Sequence, residues 1–328
     1  MPDSAEKAQQ CVAAVEEAIS RAVKAAGGDT TAIKPNHRVP FHWPPHPVAP
    51  SYHIIESDWT GEAFVEVDGV QHPIKVARTP YGVFGRCDRY WVDARGESLH
   101  EMLRELENRC APLLARQKII AETLGQPGRF GGSFSDLGPA DWVRLLYCVD
   151  RDVANEARSR IETYASSKIF GPALIRILQD DRHPHRRIAQ WCVLDLFEDL
   201  SSFCPDPESQ HQAILAIRNL IWNAPDDYAR TIYKAGVVLG GHVSNEPAAD
   251  ALIECFRAPS RIGRRSAVHA SFHLAEWLPA RREQIIESLN WVAANDPEPA
   301  MREFAASIAR DILAGEVDHM MEPVFDGE

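Results

Sequence analysis

The sequence predicts a mostly α-helical protein: an α-α solenoid of about five helix pairs, preceded by a small α+β module built as a β-meander plus one helix. Three observations predict it. From about residue 139 the apolar residues recur at helical spacing, and the second helix of each pair starts near Asp152, Arg186, Asp226, Gly263 and Glu298, at intervals of 34, 40, 37 and 35 residues. A recurring period in the high thirties is that of stacked helix pairs, because one pair alone cannot bury its apolar face. The local pattern repeats too: RRIA at 186–189, RRSA at 264–267 and REFA at 302–305 each set an arginine three residues before a small alanine. Between 62 and 94 the pattern is instead one of short strands, with Asp68-Gly69 as a two-residue hairpin signal.

Five segments follow in order. Residues 1–28 read as an amphipathic helix, with Ala8, Cys11, Val12, Val15, Ile19 and Val23 on one face and Gly27-Gly28 as its stop. Residues 29–60 are a Pro/His-rich extended arm, since Pro35, Pro40, Pro44, Pro45, Pro47 and Pro50 forbid helix. Residues 61–126 form the α+β module: EAFVEV and its hairpin partner, then VFGRC and YWVDA, then a long helix from Glu97 to Leu124. Leu99, Met102, Leu103, Leu106, Leu113 and Leu114 give that helix a face to lay on the sheet. Residues 127–318 are the helical repeats, and 319–328 a tail.

Composition bounds the function. A hydrophobic fraction of 45% with 25% charged residues is that of a globular chain. No apolar stretch approaches the roughly 20 residues needed to cross a bilayer, and MPDSAEKAQQC lacks a secretory signal, so the expected location is cytoplasmic with no membrane partner. The formal charge of −12 disfavours nucleic acid, although Arg257, Arg261, Arg264 and Arg265 make a local basic cluster. Seven cysteines without a CxxC pair argue against disulfides and thiolate zinc, and read as small core residues.

DRHPHRRIAQWCVLDL and, above all, DPEPAMREFAASIARDI resemble HEAT repeats: an acidic turn, a proline, an arginine and a helix of small residues. The resemblance covers roughly 139–314. It implies a stack of helix pairs and, for most members of that family, a protein-interaction scaffold; a few members are enzymes. On this reading the loop acids Asp181, Asp226 and Asp296 pair with arginines of neighbouring repeats, while the fourth pair offers Ser260 instead. Trp191, Trp222, Trp277 and Trp291 fall at repeat-interior spacing and are expected to pack.

Aligning the second helices on Arg186, Arg230, Arg264 and Arg302 brings out one polar stripe. His269, His273 and Glu276, at i, i+4 and i+7, lie opposite the apolar face of Val268, Phe272 and Ala275. Two repeats away the same positions are Trp191, Asp195 and Glu198; elsewhere they supply His242 and Asp311. Gly236, Gly240 and Gly241 weaken the register at His242. Imidazole with carboxylate is a ligand set for Fe, Mn or Zn, so a metal centre at His269, His273, Glu276 and His242 is one expectation. Deoxyhypusine hydroxylase is a HEAT-like precedent for iron, but its paired His-Glu dipeptides are missing: the one such pair, His100-Glu101, lies outside the repeats. The other expectation, placed first, is a partner-binding surface carrying Trp191, Asp195, Glu198 and Asp311, assisted by the arm. His183 and His185 sit in an inter-repeat turn and read as loop residues.

Overall fold

A computed structural model describes residues 59, 61–67, 69–79, 82–88, 92–125, 134–225 and 227–315. The N-terminal helix, the arm and the tail expected from the sequence lie outside the described residues, as does Asp226. The chain is mostly helical, with a small four-stranded antiparallel sheet preceding the helical region. It divides into two compact units with the change-over between Asp141 and Trp142, some way beyond the junction expected at 126/127.

In the sheet-bearing unit, β1 (Gly61–Val67), β2 (Val70–Thr79), β3 (Gly82–Cys87) and β4 (Val92–Gly96) run as an antiparallel meander in sequence order. Val67 pairs with Val70, and Gly69 takes the positive φ of 75° that a two-residue hairpin turn there requires. Alternate residues (Val65, Val67, Ile74, Val76, Val83) face one side and are buried under helix α1 (Leu99–Thr123). Ser98 caps α1, accepting a bond from the Glu101 amide at 3.2 Å. Met102, Leu106, Cys110 and Leu114 recur at helical spacing and complete the core. Gly85 is where the helix comes closest: a side chain there would collide with Met102.

The helical unit begins in α2 (Pro139–Leu145) and continues as α3 (Arg151–Glu162), α4 (Gly171–Leu178), α5 (Arg186–Leu196), the short α6 (Leu200–Phe203) and α7 (Pro207–Trp222). Then come α8 (Ala229–Val237), which runs into a π-helical turn at Val238–Val243, α9 (Glu246–Cys255), α10 (Arg261–Trp277), α11 (Arg282–Asn295) and α12 (Pro299–Ala314). The starts fall within three residues of those read from the repeat period. Local chemistry sets them: Asp150, Asp206, Asn245 and Ser260 are side-chain N-caps, and Pro207 and Pro299 open their helices where a missing N–H does no harm. Along the chain α3 packs on α5, α5 on α8, α8 on α10 and α10 on α12, while α4 packs on α7 and α7 on α9. The six described cysteines are all buried with free thiols. Among the described residues no helix is long and apolar enough to cross a membrane.

Candidate functional site

The aligned polar positions do not form one continuous stripe. They separate into two local groups, and the third helix pair is where the stripe breaks: Ala235 and Leu239 at the equivalent positions are fully buried.

The first group lies on α5 and α8. Trp191 is 37% exposed, and the Lys234 ammonium sits over its ring at 4.7 Å from the centroid. Lys234 is fixed in turn by ion pairs to Asp195 and, at 3.2 Å, to Glu198. Arg158 of α3 approaches Asp195 from the other side at 3.7 Å and also holds Glu162 at 3.1 Å. Burial lowers the Lys234 pKa, and the Arg158 charge lowers it further. Lys234 and Arg158 were not singled out in the sequence. The signal available was the acid pair Asp195 and Glu198 on a helix with no cation of its own in the last turn.

Beside this group a cavity of about 340 Å³ opens, lined by Arg151, Asn155, Arg187, Trp191, Arg230 and Thr231 among others. Arg187 is engaged: it pairs with the Asp227 carboxylate, donates to the Asp227 carbonyl at 2.9 Å and lies over the Tyr228 ring at 4.6 Å. Arg187 and Asp227 thus link this pair to the next; the acid expected in that ladder, Asp226, lies outside the described residues. Arg186 donates to the carbonyl of His183 at 3.3 Å. Arg230, expected in the ladder, lines the cavity.

The second group lies on α10. His269 was expected on the face away from the core, yet it is 7% exposed. The reason is close approach: Gly236, Gly240, Ser266 and Ala270 let α8 and its π-helical turn press onto α10, with the Ser266 hydroxyl bonded to the Ile232 carbonyl at 2.6 Å. His269 Nε2 meets the Tyr233 hydroxyl, while its Nδ1 is buried without a partner. Burial first, then the His273 and Arg265 charges, push the His269 pKa down to about 4. His273 packs edge-on against His269 at 5.4 Å between ring centroids. Burial lowers its pKa as well; the Glu276 charge acts to raise it and that of His242 to lower it. Glu276 and His242 are exposed, and His242 lies in the π-helical turn. Among the described residues no three His, Cys, Asp or Glu side chains converge on a point that holds a metal ion. Asp311 is half-buried on α12 and bonds to neither group.

Other expectations resolve similarly. Trp277 and Trp291 are 64% and 43% exposed, so they are not interior packing residues; Arg257 covers Trp291 and Arg218 covers Trp222. The basic cluster is dispersed, with Arg257 on Trp291, Arg264 on Asp296 and Arg261 near Glu298 at 3.8 Å. His183 is a buried loop residue whose ring packs at a tilt against Tyr147. No protein-family model, curated protein or solved structure matches this chain.

Proposed function

We propose that residues 127–318 are a HEAT-like solenoid of about five helix pairs and that the chain is a cytoplasmic scaffold binding a protein partner. Two things support the solenoid: the repeat period in the sequence, and the serial contact of each second helix with the next. The observation that carries the scaffold reading is Trp191. A large rigid ring is left partly open to solvent while its neighbours Lys234, Asp195 and Glu198 are tied to one another. An exposed aromatic anchor inside a pre-ordered polar rim is the arrangement that concentrates binding energy at protein interfaces. Asp311 and the proline-rich arm at 29–60 are proposed to engage the same partner.

The test is affinity capture on tagged full-length protein beside a Trp191→Ala variant of matched circular dichroism and melting behaviour. A partner held by the wild type and lost from the variant supports the reading. Equal capture by both, or none above a tag-only control, defeats it.

A further inference from the structure

The cavity between α3, α5 and α8 has a chemical character opposite to that of the whole chain. The protein carries a formal charge of −12, yet among the described residues three arginines and no carboxylate line this space. The three are not equivalent. Arg187 is already neutralised by Asp227 and held over the Tyr228 ring, so it forms a fixed wall. Arg151, at the first turn of α3, and Arg230, at the first turn of α8, are exposed. Neither has a carboxylate within ion-pair distance among the described residues. In a chain this acidic, elsewhere in the same unit Arg158, Arg218, Arg264 and Arg281 each find an acid partner. Trp191 lines the same cavity and contributes an apolar wall, with Asn155 and Thr231 as neutral polar neighbours.

We infer that this cavity is a binding site for a small anion of the aryl phosphate class, with Arg151 and Arg230 on the phosphoryl oxygens and Trp191 against the ring. Planar forks of N–H donors match tetrahedral oxyanions, and each of these guanidinium groups can donate two bonds. A volume of about 340 Å³ lies at the small end of the range for small-molecule pockets, which fits one ring and one phosphoryl group. The site requires no protein partner, but it shares Trp191 with the scaffold reading. Losing Arg151 and Arg230 leaves the Trp191 anchor in place, so failure of one reading is distinguishable from failure of the other.

Calorimetric titration of the full chain with phenyl phosphate, inorganic phosphate and phenol tests it. The expected result is saturable binding of phenyl phosphate, weaker binding of phosphate and none of phenol. Arg151→Ala/Arg230→Ala weakens phenyl phosphate by about tenfold or more, as loss of charge-assisted hydrogen bonds requires. Arg151→Lys/Arg230→Lys falls between, since charge is kept and the fork lost. Trp191→Ala removes the preference for phenyl phosphate over phosphate. Absence of binding at about 10 mM ligand, near the weakest affinities such contacts give, overturns the proposal. So does binding unchanged in the double alanine variant, or equal affinity for phosphate and its phenyl ester.

Discussion

Arg264 reaches across from the start of α10 to Asp296 in the loop before α12, placing Nε 2.6 Å and Nη2 3.4 Å from the two carboxylate oxygens. Both residues are buried, and the remaining Arg264 donors find the carbonyls of Ala258 and Pro259, each at 3.1 Å. Arg264→Ala leaves a buried carboxylate without its counter-charge and is expected to destabilise the protein by about 3–5 kcal/mol. Arg264→Met/Asp296→Leu, which removes both charges and keeps volume, recovers most of that loss. Urea unfolding at pH 7 reads both. A loss below about 1 kcal/mol for the single variant, the size of an exposed pair, contradicts this role.

Gly240 sets the approach of the π-helical turn to α10. A methyl group there falls on the carbonyl of Ala270, which is backbone and cannot rotate away, whereas at Gly236 it meets first the Ser266 hydroxyl. Gly240→Ala is therefore expected to lower stability by about 1–3 kcal/mol through overpacking. Gly236→Ala is partly relieved by a second change, Ser266→Ala, and Gly240→Ala is not. Thermal melts of the four proteins check this; equal effects at the two glycines speak against it.

The same glycines explain where the sequence was readable and where it was not. Helix starts were legible because Asp150, Asp206, Ser260 and Pro299 act locally, and the meander was legible because Gly69 and the alternation around Val65 and Val67 do too. The burial of His269 was not, because it depends on small residues on a different helix. The register that carried the stripe assumed uniform helices, and the π-helical turn at Val238–Val243 breaks that assumption after Val237. The Arg187–Asp227 pair was not legible either, because alignment on arginines alone cannot see which neighbour an acid faces.

His269 makes stability depend on pH. Its folded pKa, about 4, lies below the 6.5 of an unfolded imidazole, because burial and the His273 and Arg265 charges oppose protonation. The unfolded chain therefore binds more protons between these values. Stability is full above about pH 6.5 and declines as pH falls toward 4, by a total on the order of 3 kcal/mol from this residue. His273 and His183 are shifted in the same direction and steepen the decline. Urea midpoints at pH 7.5 and pH 5, compared between wild type and His269→Gln, isolate the contribution. The variant should lose less on acidification, and an unchanged difference removes His269 as the cause.

Gln190 closes the end of α4. Its Nε2 lies 3.3, 3.0 and 3.0 Å from the carbonyls of Ile177, Leu178 and Asp180, and its Oε1 accepts from the Tyr228 hydroxyl of the next pair. A helix C-terminus buried without donors is unfavourable, and here a single side-chain amide supplies them while being itself buried. Gln190→Leu keeps the volume and removes every bond the amide makes to these carbonyls and to Tyr228; a loss of about 2–4 kcal/mol is expected. Gln190→Glu retains the acceptor for Tyr228 but turns a carboxylate toward three carbonyl oxygens. It should be at least as damaging at pH 7 and partly relieved at pH 5, where protonation restores a donor. If Gln190→Glu is as stable as wild type at pH 7, the amide is not what satisfies those carbonyls, and the junction of α4 with the next pair must be held by packing alone.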